Sequence, residues 1–363
     1  MFFNLSNIKS NPAKVIIICL LFLNILSLTI VYSSLHQRGE LKNPDIFYKQ
    51  LTWIMISWVI LIMVSLMNYR LYFDFSSILY IVNICLLLTV YFFGKTTMGA
   101  QRWLAIGAFT FQPSELSKIT TIFILARFFS SSDRKYFIKG FILPLSLVLL
   151  NAFIIFKQPD LGTAVVLVIL FLMMGISSKI RKRCFVFLLV SGLLLIPFAG
   201  HYLKDYQKKR LIVFLNPNVD PLGAGYTIIQ SKIAIGSGKL VGKGFLSGTQ
   251  NQFNFLPERH TDFIFTIVAE EWGFLGSIFL LLIYWLIIKL ILDRTKEMRD
   301  PFARCLSVGI CSYLFIHIFV NIGMTLGILP VVGIPLIFLS YGGTNLVVSF
   351  ILVGVFLNIC RNT

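Results

Sequence analysis

Ten stretches of this sequence stay apolar for about the 20 residues a helix needs to cross a hydrocarbon layer. They run over residues 13–34, 47–67, 75–93, 112–130, 138–156, 160–177, 184–200, 263–292, 302–327 and 331–359. The first ends in Ser33-Ser34-Leu35-His36 without an A-x-A cleavage site, so it reads as a retained signal anchor. Between residues 201 and 262 the apolar pattern gives way to a long loop. It opens basic, at Lys204, Lys208, Lys209 and Arg210, and passes a turn cluster from Asn216 to Pro221. A short amphipathic stretch, Tyr226 to Ile235, follows, and seven glycines fall from Gly223 to Gly248. Loops longer than about 15 residues are uncommon in compact domains and usually functional. The glycines predict a mobile cover, ordered by substrate or partner.

Composition turns this pattern into a class. Apolar residues make up 57% of the 363, charged residues only 13%, and mean hydropathy is +0.85. A soluble domain carries about 25% charged residues, so a water-soluble enzyme is excluded. The expectation is an all-α polytopic membrane protein: one integral membrane domain, residues 1–363, with ten transmembrane helices and one long outer loop. Six cysteines are scattered, without a CxxC pair, and read as small buried hydrophobes.

Charge then sets the orientation. Lys and Arg outnumber Asp and Glu 32 to 15, for a net +17. In a membrane protein this surplus belongs to cytoplasmic loops, and it does not call for nucleic acid. With the N-terminus inside, the cytoplasmic segments hold seventeen basic residues and the short outer loops six. The C-terminus is then also inside, and the long loop faces the periplasm or its equivalent.

Polar residues near span ends carry the candidate chemistry, because acids there are costly. The fourth span opens with Gln112-Pro113-Ser114-Glu115 and carries Lys118; the sixth opens with Gln158-Pro159-Asp160. The eighth opens at Thr261-Asp262 and holds Glu270-Glu271; the tenth opens with Pro330 to Pro335 and includes Ser340-Tyr341-Gly342-Gly343. All four are even-numbered spans, so their N-termini face the same outer surface. Helix N-termini attract anions. A substrate with a phosphate or pyrophosphate head and an apolar tail suits that arrangement.

Plainer readings stand beside these. Glu115 and Lys118 share a helix face and form a structural ion pair as readily as a catalytic one. Asp160 after a proline is as well placed to cap a helix. By the 100° count Glu271 faces away from Asp262 and serves packing polarity, whereas Glu270 stays a candidate. His317, alone in an apolar span, reads as a satisfied interior histidine.

These residues also carry a resemblance. Gly99-Ala100-Gln101-Arg102-Trp103-Leu104, Gln112 to Lys118, Lys157 to Ala164 and Gly327 to Leu336 resemble the SEDS family of bacterial shape, elongation, division and sporulation proteins. Phe214-Leu215-Asn216-Pro217, Gly248-Thr249-Gln250 and Phe255 to Phe263 resemble its rod-shape branch; the cell-division branch usually lacks the Glu258-Arg259-His260 version. One departure is Ile337, where the family commonly has a second proline before Phe338; the substitution is expected to loosen entry into the tenth helix.

The resemblance implies a ten-helix peptidoglycan glycosyltransferase that polymerises lipid II on the outer face of the bacterial inner membrane. It also implies a class B penicillin-binding protein, a transpeptidase, as activating partner, with other membrane proteins of the elongation complex. Extension joins a C4 hydroxyl to an anomeric carbon and displaces polyprenyl pyrophosphate. It needs a base on the hydroxyl and cations on the leaving phosphates. Asp262 is the best base, and the family's essential acid falls there. Arg102, Lys118, Arg210 and Arg259 are candidates for the pyrophosphate; Glu115, Asp160, Glu258, His260 and Glu270 complete the substrate-binding or cavity-supporting set. A divalent cation, Mg or Mn, bridging acid and pyrophosphate fits this chemistry, but no ligand cluster marks a site. A flippase for lipid-linked precursors would want polar groups at both leaflets. An ion-coupled transporter leaves the long loop unexplained, and a structural scaffold would tolerate loss of Asp262.

Overall fold

The computed structural model describes residues 11–362 apart from 38–39, 42, 98–99, 107–108, 132–136, 179–182, 185, 187, 189, 191, 193–204 and 224. Eleven helices of eight or more residues are described: α1 (Pro12–Leu35), α2 (Pro44–Leu66), α3 (Arg70–Phe93), α4 (Pro113–Ser130), α5 (Leu143–Lys157), α6 (Leu161–Ser177), α7 (Asp205–Leu215), α8 (Tyr226–Ser237), α9 (Ile264–Glu297), α10 (Pro301–Thr325) and α11 (Gly343–Asn362). A π-helical turn, Ile138–Ile142, leads into α5, and a single turn, Thr249–Gln252, lies before α9. Two small antiparallel sheets sit between helices: β1 (His36–Gln37) with β2 (Glu40–Leu41), and β3 (Lys95–Thr97), β4 (Ala100–Ile106) and β5 (Phe109–Phe111).

Among the described residues seven helices are long and apolar enough to cross a membrane: α1, α2, α3, Ile138–Lys157, α9, α10 and α11. α6 is apolar but 17 residues long, and α4 carries Glu115, Lys118 and Arg127 within its 18. Five predicted spans meet α1 to α4 and α6 closely, and a sixth meets the π-turn with α5. The seventh, 184–200, lies mostly outside the described residues, as do Gly99, Lys204 and most of the basic run at 179–183. Large side chains such as Ile18 and Ile25 of α1, Met55 and Met63 of α2 and Phe92 of α3 stand exposed. Apolar exposure on this scale is what lipid covers. The chain is a mostly helical, polytopic membrane protein.

Prolines open several helices where a missing N–H costs nothing, as at Pro12 and Pro113. Two compact units emerge. The first comprises Met1–Met55, Gly192–Ile288 and His317–Gly343; the second Ile56–Ser191, Lys289–Ile316 and Thr344–Thr363. In the second, Phe129 of α4 and Phe171 of α6 are fully buried with ring centres 5.9 Å apart. Gly309 of α10 leaves room for Ile122 and Met174, which a β-carbon would crowd.

In the first unit, α9 is interrupted at Gly273 (φ 69°). A break in a membrane helix frees backbone groups that need partners. Residues 239–244 supply them: Lys243 and Gly244 N–H donate to the Glu270 and Glu271 carbonyls at 3.0 and 2.9 Å, and Phe274 and Leu275 N–H donate to the Lys239 and Leu240 carbonyls at 2.9 and 3.1 Å. Gly242 (φ 86°) lies directly against the Glu271 carbonyl. Gly242 and Gly244 thus allow backbone to meet backbone at this break.

The tenth predicted span needs correction. It begins at Gly343, and residues 331–342 are not helical. Pro335 removes a donor, and Gly333 (φ 76°) and Phe338 (φ 62°) take left-handed backbone that a helix cannot hold. Ile337, fully buried, lies in the turn before Ser340 and so does not sit at the helix entry.

Candidate active site

Two polar clusters hold the residues singled out from sequence, one in each unit. In the first unit a tight turn leads into α9. Glu258 starts it in left-handed backbone (φ 51°), and its carbonyl accepts from Thr261 N–H at 3.1 Å. Asp262 follows, half-buried, two residues before the helix.

The irregular 330–342 segment runs beside this turn and is held by side chains from remote parts of the chain. Asn321 Nδ2 on α10 donates to the Asp262 carbonyl at 2.9 Å and the Ile334 carbonyl at 2.8 Å. Ser340 Oγ donates to the Thr261 carbonyl at 2.6 Å and accepts from Leu336 N–H at 2.9 Å. Tyr341 N–H donates to the His260 carbonyl at 2.9 Å, and Tyr284 hydroxyl to that of Ile337 at 2.6 Å. Ser27 hydroxyl donates to the Leu339 carbonyl at 2.7 Å. Backbone that forgoes helical bonds in an apolar setting must be satisfied this way. The outcome brings Gly333 to Asp262: a β-carbon on Gly333 would lie 3.2 Å from the carboxylate Oδ2.

The neighbours of Asp262 differ in use. Arg210 on α7 is exposed and donates through a guanidinium nitrogen to the Val331 carbonyl at 3.2 Å, two residues from Gly333. Arg259 is buried; its Nε donates to the Ser34 carbonyl at 2.8 Å and a second nitrogen to Asn254 Oδ1. Burial pulls its pKa below the ordinary value. His260 is half-buried, with its ring centre 5.8 Å from that of Tyr341. Burial lowers its pKa, against the pull of Glu258 and with the push of Arg259. Glu258 is exposed and accepts from Thr261 hydroxyl at 3.1 Å. Glu270 is fully buried and accepts from Lys243 Nζ at 2.7 Å, Thr249 hydroxyl at 3.0 Å and Gln250 N–H at 3.1 Å. It therefore ties the glycine loop to α9. Glu271 accepts from Ser33 hydroxyl. His317 is buried, its Nδ1 3.4 Å from the Pro335 carbonyl.

In the second unit the Glu115–Lys118 pair is real and buried, at 2.6 Å, and Asn345 Nδ2 donates to the other Glu115 oxygen at 2.9 Å. The Tyr313 ring lies 5.8 Å from the ammonium. Asp160 caps α6, accepting from Thr163 N–H at 3.3 Å and its hydroxyl at 2.9 Å. Arg102 on β4 approaches Asp160 at 3.8 Å and donates to the Gln158 carbonyl at 3.4 Å and to that of Pro159. It thus fastens the strand to the start of α6. Among the described residues no group of three or more His, Cys, Asp and Glu could hold a metal ion.

Asn321 escaped the sequence reading. The signal available was an amide inside an apolar run, one turn after His317 on the same helix face.

Comparison with known proteins gives a consistent picture. The FTSW_RODA_SPOVE family model, described as cell cycle protein, matches residues 13–363. Peptidoglycan glycosyltransferase MrdB of Escherichia coli K12 is 40% identical over 337 residues, covering 92% of this chain and 91% of its own. Peptidoglycan glycosyltransferase RodA of Treponema pallidum is 32% identical over 418 residues, covering 94% and 96%. A solved chain from a study of polymerization and crosslinking by a peptidoglycan synthase complex superposes with a TM-score of 0.79 at 26% identity, covering 94% of this chain and 97% of that one. The chain belongs to the FTSW_RODA_SPOVE family of cell cycle proteins.

Proposed function

We infer that this chain is a peptidoglycan glycosyltransferase that polymerises lipid II at the outer face of the bacterial inner membrane, for wall elongation and rod shape. Its relationship to MrdB and RodA along nearly the whole chain supports the reaction class. In this reading ten helices form one membrane domain with both termini inside, and residues 201–262 face outward.

The observation that carries the mechanism is the half-buried Asp262 carboxylate beside the backbone of Gly333. Glycine at position 333 adds no side chain against that carboxylate. Asp262 takes the proton from the acceptor C4 hydroxyl as its oxygen attacks the donor's anomeric carbon. The bond to the pyrophosphate breaks with inversion, and cations stabilise the charge that leaves. Of the four cations named from sequence, Arg210 best suits that task, being exposed and set against the segment carrying Gly333. Lys118, Arg259 and Glu270 support the fold, as do Glu115 and Asp160. Arg102 fastens β4 to α6, and Glu258 and His260 shape the turn ahead of Asp262. The synthase complex among the structural relatives supports a class B penicillin-binding protein as partner, alongside other elongation-complex proteins.

Purified protein, with and without that transpeptidase, is incubated with lipid II and the products are separated by size. Glycan polymer is the expected product; its absence in the presence of partner would refute the assignment.

A further inference from the structure

Asn321 lies in the last turns of the apolar helix α10, fully buried, where an amide is costly. Both its assigned partners, the carbonyls of Asp262 and Ile334, only accept hydrogen bonds, so the amide nitrogen must face them. The side-chain oxygen is left buried without a hydrogen-bond partner. An amide kept in this orientation at that cost is there for its two N–H groups.

Those two groups grip opposite sides of one gap. One holds residue 262 by its own carbonyl; the other holds the residue directly after Gly333. One side chain thus bridges the residue that carries the Asp262 carboxylate and the residue after Gly333, whose β-carbon would lie 3.2 Å from Oδ2. His317, one turn earlier on α10, adds a second contact at the Pro335 carbonyl, 3.4 Å away. Ser340 and Tyr341 secure residues 261 and 260. The Asn321 amide is what reaches the carbonyl of Asp262 itself.

We propose that Asn321 is a positioning residue for glycan polymerisation, clamping the Asp262 backbone to the Gly333–Ile334 segment so that the carboxylate stands at a fixed place beside the glycine. This rests on the reading of Asp262 as the base. Misplacement of a reacting group by about 1 Å costs as much as 10²-fold in rate. Loosening one turn of backbone is enough to produce such a shift.

The test is steady-state polymerisation of lipid II by the full-length protein with its transpeptidase, across a range of pH. Asn321→Leu removes both N–H groups, and Asn321→Ser is a gentler variant too short to span both carbonyls. Ser231→Ala is the comparison: Ser231 hydroxyl donates to the Thr325 carbonyl at 2.6 Å, one turn further along α10, so its loss removes a buried tether of similar kind. The Asn321 variants should lose about 10- to 100-fold in kcat with KM within about twofold, and the acidic limb of the rate profile should move. Ser231→Ala should keep both kcat and limb. Asn321 variants with unchanged kcat and an unmoved limb would overturn the proposal, as would an equal loss in Ser231→Ala. If Asn321→Leu does not fold, Asn321→Ser decides by the same criteria. Asp262→Asn separates the two claims: if it is inactive while the Asn321 variants are active, the clamp alone fails, and if it is active, the base assignment fails.

Discussion

Gly333 stands so close to Asp262 that a β-carbon added to it would lie 3.2 Å from the carboxylate Oδ2. The glycine also occupies left-handed backbone, φ 76°, where an L side chain costs roughly 1–2 kcal/mol. Gly333→Ala should therefore lose activity by more than its stability loss explains, because the methyl intrudes on the carboxylate. Polymerisation rate per folded molecule, with folding judged by monodisperse elution and thermal unfolding, checks this. A variant destabilised but fully active would mean that the close approach has no part in catalysis.

The buried pair Glu115–Lys118 gives a second expectation. Removing one partner leaves an unpaired buried charge, so Lys118→Met should cost about 3–5 kcal/mol. Exchanging both charges, Glu115→Lys with Lys118→Glu, should recover part of what either single reversal loses. Recovery should be incomplete, since Asn345 donates to Glu115 and would then face an ammonium. Thermal unfolding of the singles and the double measures the coupling; a double variant no better than the singles would contradict it.

The contact between the glycine loop and the α9 break predicts a stability effect away from Asp262. Gly242 combines φ 86° with direct approach to the Glu271 carbonyl, so Gly242→Ala must push 239–244 off the helix. Hydrogen exchange should accelerate at Lys243, Gly244, Phe274 and Leu275 together, because their N–H groups share this contact. Acceleration confined to the loop would mean that α9 holds its break without the loop.

His260 predicts a pH dependence of stability. Its pKa is lowered from the ordinary 6.5 mainly by burial, so the unfolded chain binds the proton more readily than the folded one. The stability contributed by the neutral ring is present above pH 6.5 and is lost as pH falls below it toward the folded value. The unfolding midpoint should drop between pH 7.5 and 5.5, and His260→Gln should reduce that drop. An identical slope in the variant would assign the effect to other groups.

The helical part of this protein was largely legible in its sequence, since length of apolar run decides a membrane helix. The exceptions share a cause. Val331, Val332, Ile334 and Leu336 to Leu339 are as apolar as a span, yet Pro335 and Gly333 forbid a helix there. What replaces it depends on Ser27, Tyr284 and Asn321, which local pattern does not connect to the segment. The break at Gly273 was hidden likewise, because its partners lie at residues 239–244. The carboxylates were easy to find, whereas their uses were not. Glu270 and Asp262 look alike in sequence, but Glu270 is buried and accepts from Lys243, Thr249 and Gln250, whereas Asp262 is half-buried beside the backbone of Gly333.

The central claim is that Asp262 takes the proton of the attacking hydroxyl. Asparagine has the same size and keeps an oxygen that can cap α9, but it cannot act as the base. A purified Asp262→Asn variant is assayed with lipid II and the transpeptidase, alongside its expression and partner binding. If Asp262 were only a cap, the change would cost a few tenths of a kcal/mol to about 1 and polymerisation would persist. The account predicts a fall of roughly 10²–10⁴-fold in polymerisation, with expression and partner binding intact. Glycan synthesis at a near wild-type rate would contradict it.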